Sequence, residues 1–292
     1  MKRRKVSIAD VIILLFLGIF ALVCFFPFYQ TVILSFSTMS DIGTQRIFLY
    51  PVSVNFGAYS YLINEGKMLR GMGITTIVTV LGTLISLTVT TAGAYGLTKK
   101  NMPGRNFIFN AILLTMFFGG GLVPYFLTIQ ALRLPNTIWV MILPSAVSAF
   151  NLILMRNYLN SLPGELEESA KIDGANEVII LWKIIVPVST PIMATIALFC
   201  AVGYWNEWWN AMLFINNTKM YPLMLVLREA IISVSTLLDD PTAAQFAESS
   251  RVFYSDSVKS AIIVISAVPI LLVYPFLQKY FAKGIMIGSI KG

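Results

Sequence analysis

Apolar residues fall along this chain in six long runs separated by polar segments. The runs cover residues 11–36, 72–97, 107–132, 135–155, 188–210 and 261–281. About 30 Å of hydrocarbon at 1.5 Å per residue calls for roughly 20 residues, so each run is long enough to cross a bilayer as a helix. The period-two alternation of barrel strands is missing from them, and lipid tolerates only helices or closed barrels, so six transmembrane helices of an all-α protein are predicted. The first run follows Lys2, Arg3, Arg4 and Lys5, as a signal peptide would. It is too long for a signal peptide's apolar core and ends without a small-residue cleavage site, so it is expected to stay as an uncleaved anchor.

Composition places the whole chain in the same environment. Of 292 residues, 57% are hydrophobic and 12% charged, against about 45–50% and about 25% in an ordinary soluble domain. The net charge of +7 reflects basic residues on membrane flanks rather than a nucleic-acid partner. Besides the N-terminal cluster, Lys99, Lys100 and Arg105 join the second run to the third. Arg156, Lys171 and Lys183 lie between the fourth and fifth, and Lys279 at the end of the sixth is followed by Lys283 and Lys291. The alternate connections are poorer, with Arg133 alone between the third and fourth runs. The positive-inside rule then puts both termini, residues 1–10 and 282–292, in the cytoplasm together with the segment between the fourth and fifth runs. The chain has no histidine, which excludes His-based metal sites, triads and proton relays. Cys24 and Cys200 both lie in apolar runs and are expected to be buried, inert thiols rather than a disulfide.

That cytoplasmic segment, residues 163–187, is dense in charge. It carries Glu168, Ser169 and Ala170, then Asp173-Gly174-Ala175, then Ile184, Val186 and Pro187. These residues fill the spacing E-A-A, three residues, G, nine residues, I-x-L-P, with Ser169 for the first Ala and Val186 for the Leu. The segment therefore resembles the cytoplasmic EAA loop of ABC-importer permeases. Physical chemistry gives it a matching form. Glu165, Glu167 and Glu168 after Pro163-Gly164 suit the first turn of a helix, where acids complement the macrodipole. Gly174 allows the chain to turn sharply after it. A short amphipathic helix in the membrane plane is expected, with Leu166, Ala170 and Ile172 available to dock in a groove.

Other stretches are similar to the carbohydrate (CUT1) branch of these permeases, in particular the second permease of maltose-type importers and its oligosaccharide and polysaccharide-fragment subgroup. They are residues 92–100 (AGAYGLTKK), Pro124, Leu132-Arg133-Leu134-Pro135-Asn136-Thr137, Leu143-Pro144, Trp205-Asn206-Glu207-Trp208 and the tail Gly288-Ser289-Ile290-Lys291-Gly292. The resemblance implies a type I ABC importer permease fold with its transmembrane domain over residues 71–281. It also implies a multi-pass location in the bacterial cytoplasmic membrane. The implied partners are a second homologous permease in a heterodimer, two ATPase subunits, and an extracellular or periplasmic sugar-binding protein. The ATPase-coupling residues would be Glu168, Ser169, Ala170, Asp173, Gly174, Ala175 and Pro187. No G-x-x-x-x-G-K-[ST] motif occurs in the chain, so ATP and Mg²⁺ would sit on the partner ATPases, with no cofactor on this chain and no enzyme activity of its own.

Sugar recognition combines aromatic stacking with convergent hydrogen bonds. Tyr204, Trp205, Asn206, Glu207 and Trp208 offer both and are candidates for the substrate path. On a straight helix from Pro187 they would lie roughly 27 Å along it, near the outer interface, where an aromatic belt or helix packing is the more ordinary account of them. The outer loop, residues 216–257, is too long for a simple connector. It reads as a short helix followed by a polar stretch, with Asp239, Asp240 and Gln245 as candidate contacts to the binding protein. A permease for a non-sugar solute shares the loop motif and remains an alternative. A secondary transporter is disfavoured by the lack of inverted repeats and of charged midplane residues.

Overall fold

The computed structural model describes residues 8–37, 50, 54–64, 66–239 and 257–272, and every regular element among them is a helix. Lys2, Arg3, Arg4 and Lys5, Asp240, Gln245, the end of the sixth predicted run and the tail at residues 284–292 lie outside the described residues. In chain order the helices are α1 (Ile8–Ser35), α2 (Gly57–Asn64), α3 (Lys67–Gly96), α4 (Arg105–Phe117), α5 (Leu122–Ala131) and α6 (Trp139–Ser145, ending in a 3₁₀ turn). There follow α7 (Ala149–Asn160), α8 (Glu165–Ile172), α9 (Glu177–Val188), α10 (Thr190–Trp205), α11 (Trp209–Phe214), α12 (Leu223–Asp239) and α13 (Ser257–Leu272). Contacts divide the chain into two compact units, residues 1–68 with 227–269, and residues 69–226 with 270–292.

In the first unit, α1 is apolar on all sides and exposed from Asp10 to Phe28, the signature of a helix that meets lipid or another chain rather than its own core. Only its far end packs. Tyr59 donates to the Ser35 hydroxyl at 2.7 Å, Phe36 stacks on Tyr59 with ring centroids 5.2 Å apart, and Ser257 donates to the Ser37 carbonyl at 2.7 Å. Cys24 is exposed on α1, which corrects the expectation of two buried thiols. A thiol in an all-apolar helix is buried only where another element covers it. Cys200 is half-buried.

The second unit holds the long continuous helix α3, 30 residues, and a set of interrupted ones. The third, fourth and fifth apolar runs, each expected as one helix, are all broken. Gly119, Gly120 and Gly121 separate α4 from α5, with Gly121 at φ +80. Pro144 falls in the 3₁₀ turn that ends α6, and α7 leaves it at 50°. Between α9 and α10 the chain bends by 86° at Ser189, flanked by Pro187 and Pro191. Pro187 has no N–H to offer the Lys183 carbonyl, and residues 180–185 just before it are wound as a π-helix, as is frequent where the regular ladder is interrupted. Within residues 216–257, α12 runs for 17 residues, longer than the short helix expected there.

One close contact ties these pieces to α3. Tyr204 of α10 is buried, and its hydroxyl donates to the Ile142 carbonyl at 3.0 Å and lies 2.9 Å from the Ser86 hydroxyl. Its ring lies flat over Gly82, where a Cβ would come within 2.6 Å of the ring carbons. Gly82→Ala cannot be absorbed by a swing of the ring without breaking the hydroxyl's hydrogen bonds. The substitution is expected to cost about 1–3 kcal/mol, the usual range for overpacking, seen as a lower melting temperature of the purified complex. An unchanged melting temperature would show that the ring repositions freely.

Candidate functional site

The segment with the EAA spacing folds as two helices joined by a tight turn. α8 is closed at its C-terminus by a Schellman motif: the Ala175 N–H reaches the Ala170 carbonyl at 3.0 Å and the Gly174 N–H reaches the Lys171 carbonyl at 3.1 Å. Gly174 is at φ +79, the left-handed conformation that this motif needs and that a Cβ penalises. Asn176 then caps α9, its side chain accepting from the Ile179 N–H at 2.9 Å.

The two faces of α8 differ. Glu165, Glu168, Ser169 and Ile172 recur at helical spacing and are exposed, Ile172 by 86%. With exposed Asp173, and Val178 at 65% exposed on α9, they form an acidic and apolar outer surface. Ala170 faces the other way. It is buried in the cluster of Tyr95, Leu97, Leu159, Ile180 and Leu181, with Ala175 packed at its edge. Its small side chain therefore sets how closely α8 lies on the core of its own chain, not how closely a partner approaches. Pro187 stands at the base of the loop, next to the 86° bend.

A cluster of charges absent from the sequence-derived candidates fixes this loop in place. Lys99, just past the end of α3, pairs with Glu167 and, at 3.0 Å, with Glu177. Lys171 pairs with Glu177 at 2.9 Å, and the Tyr95 hydroxyl donates to Glu177 at 2.6 Å. The Lys99 ammonium also sits 3.9 Å from the centre of the Tyr95 ring. Arg156 completes the corner, donating to the Leu97 carbonyl at 3.2 Å while lying 4.1 Å over the Phe109 ring. Sequence offered cues to these residues singly, as basic flanks at Lys99, Arg156 and Lys171, as the stretch 92–100 that holds Tyr95 and as first-turn acids, but none to their pairing. The partners 68 and 82 positions away from Lys99 and Tyr95 left no local trace.

The aromatic run near the end of α10 does not act as one block. Tyr204 and Glu207 line a cavity of about 400 Å³. Trp205 and Trp208 are half-buried, Asn206 is exposed and donates back to the Val202 carbonyl at 2.8 Å, and none of these three lines the cavity. Glu207 accepts from the backbone N–H of Asn210 at 2.8 Å and from its side chain at 3.2 Å, capping α11. The rest of the wall comes from the break between α6 and α7 (Ser145, Ser148, Phe150, Asn151) and from α10 (Phe199, Cys200, Gly203). The Phe150 and Phe199 rings lie 6.3 Å apart, and Asn151 reaches Cys200 at 3.6 Å. A pair of aromatic faces beside hydroxyl, amide and carboxylate groups suits a solute that is apolar on its faces and rich in hydroxyls at its rim.

A long helix, broken helices around a polar cavity and a charged loop clamped beneath them are the parts of a membrane permease. Residues 106–287 match the family described as binding-protein-dependent transport system inner membrane component, and the chain belongs to that family. It is a transport subunit and not an enzyme. Over 97% of its length it is 42% identical to Protein LplC of Bacillus subtilis (strain 168), covering 95% of that protein. It is 38% identical to the polygalacturonan/rhamnogalacturonan transport system permease protein YtcP of the same organism, over 99% of this chain and 100% of that one. Among solved structures it is similar to a chain of a bacterial ABC transporter involved in the import of the acidic polysaccharide alginate. The TM-score there is 0.83 and the identity 33%, over 96% of this chain and 99% of the other. The fold is that of an ABC-importer permease.

The electrostatics of the loop carry a pH signature. The Tyr95 hydroxyl, with Lys171 and Lys99, holds the Glu177 carboxyl down to about 2 from its ordinary 4.5. A depressed carboxyl pKa stabilises the folded form above the ordinary value, and this contribution is lost as pH falls through about 2. Glu177 is thus expected to remain ionised well below pH 4.5. Difference infrared spectra of wild type against Glu177→Gln should show its carboxylate band persisting through that range, and a band lost near pH 4.5 would rule out the network.

Proposed function

We propose that this chain is one permease of a heterodimeric, binding-protein-dependent importer for oligosaccharides or polysaccharide fragments in a bacterial cytoplasmic membrane. The observation that carries the reading is the loop at residues 163–187, a short helix closed by a left-handed glycine and clamped to the chain behind it, with an acidic and apolar face left outward. Of two ATPase subunits with bound ATP and Mg²⁺, one docks on that face through Glu168, Ser169, Ile172 and Asp173, and Gly174, Ala175 and Pro187 shape the turn that holds it. The chain crosses the membrane six times with both termini in the cytoplasm, α6–α7 and α9–α10 each serving as one bent crossing. The sugar-binding protein meets the opposite side, with Asp239, Asp240 and Gln245 as contacts. The tail at residues 284–292 reaches toward the ATPase pair.

The carbohydrate part of the reading is supported by the cavity and by the relatives' substrates. Phe150 and Phe199 supply faces for a sugar ring, and Ser145, Ser148, Asn151 and Glu207 supply its polar rim. Tyr204 serves as the packing post within that wall, and Trp205, Asn206 and Trp208 are assigned to helix packing.

Phe150→Ala is expected to raise the sugar concentration for half-maximal uptake by about two- to tenfold, matching roughly 0.5–1.5 kcal/mol for a lost aromatic contact. Uptake by proteoliposomes with the binding protein checks this, and unchanged dependence on sugar would remove the cavity from the path. Gly174→Val forces a β-branched residue into the left-handed region at a cost of about 1–2 kcal/mol, and Glu168→Lys reverses a charge on the docking face. Both are expected to lose sugar-stimulated ATP hydrolysis and to retain less ATPase on co-purification. If both keep normal stimulated turnover, the loop is not the ATPase-facing element.

A further inference from the structure

Besides its short link through residues 161–164 to α7 and the packing of Ala170 on the core, α8 connects onward by two routes that differ in stiffness. The covalent route runs through Gly174 into α9, which is π-wound over residues 180–185, carries Pro187 and ends in an 86° bend. Such a path yields under load, because π segments and proline breaks are where helices deform. The second route crosses the charge cluster into α3, which is continuous for 30 residues, about 45 Å at 1.5 Å per residue. Lys99 holds Glu167 on α8 and Glu177 on α9 at once, and Tyr95 holds Glu177 from the last turn of α3. About 14–20 Å up the same helix from Tyr95, Ser86 and Gly82 grip Tyr204, a wall residue of the cavity.

We infer that Lys99 and Tyr95, with Glu167 and Glu177, form the joint that passes displacement of α8 into α3 and so to the cavity wall. They are positioning residues for coupled transport, and the inference rests on the permease reading above. Lys99 spans two acids on two helices, so α8 and α9 move with the end of α3 rather than past it. The Tyr95 hydroxyl adds a directional hydrogen bond that a diffuse charge attraction lacks.

The test uses the full complex in proteoliposomes and reads solute imported per ATP hydrolysed, with whichever loaded binding protein stimulates the wild type. Which solute stimulates the wild type tests the sugar assignment separately. Lys99→Gln and Glu177→Gln should each lower the ratio by at least about fivefold, the lower end of usual couplings between distant sites. The double variant should be no worse than either single one, because the residues act as a unit. Lys99→Arg should recover most of the ratio, and Tyr95→Phe should lose part of it. Wild-type ratios in Lys99→Gln and Glu177→Gln overturn the inference, as do losses that multiply in the double variant. Loss of the ATPase subunits from the Lys99→Gln complex also overturns it, since that places Lys99 in docking instead of transmission.

Discussion

A backbone N–H or C=O group in hydrocarbon has no water to turn to, and leaving one unpaired costs several kcal/mol. An interruption of a helix there has to be answered from within the protein, and at several of the breaks among the described residues side chains supply the answer. At the break between α6 and α7 the Ser148 hydroxyl accepts the Asn151 N–H, and the Tyr204 hydroxyl takes the Ile142 carbonyl. At the 86° bend the Tyr158 hydroxyl reaches the Val188 carbonyl at 3.4 Å. Where α10 ends, Glu207 accepts the Asn210 N–H, and Tyr125 donates to the Asn210 side chain. The cavity lies where two of these repairs meet. Polar groups gathered to satisfy a broken backbone are also those a hydroxylated solute can share.

The charged loop at residues 163–187 obeys a different balance. Its charges are part-exposed, and pairs of that kind are worth about 0–1 kcal/mol each. Stability therefore does not explain a lysine with two acids and a tyrosine around one of them. Geometry does: the contacts define one orientation of α8 against the end of α3, and Ala170 lets the two lie close. The Schellman closure keeps the helix end from fraying where its outer face is left free.

Much of this was legible in the residues, and the failures have physical causes. The loop was found from its spacing, and Gly174 was assigned a turn because a left-handed residue tolerates no Cβ at low cost. The breaks in the third to fifth apolar runs were missed because uniform apolarity erases the helical period that marks an end. The glycine triplet at 119–121 and Pro144 are the local marks of those breaks. Arg133 shows the limit of residue-type rules. It closes α5 with the same motif as Gly174, at φ 54, with Leu134 bonded back to Ile129 at 3.3 Å, although its type gives no hint of it. In the aromatic run, composition alone could not separate Tyr204 and Glu207, which meet the cavity, from Trp205, Asn206 and Trp208, which do not.

The contact between Gly82 and Tyr204 has a mechanical consequence. An aromatic ring flat on a bare backbone, with its hydroxyl anchored at the far end, leaves no room for α3 and α10 to come closer. Around it Val78, Ile85 and Leu87 of α3 share core clusters with Ile196 and Cys200 of α10, so the two helices are held at one spacing and a push along α3 reaches α10 with little slack.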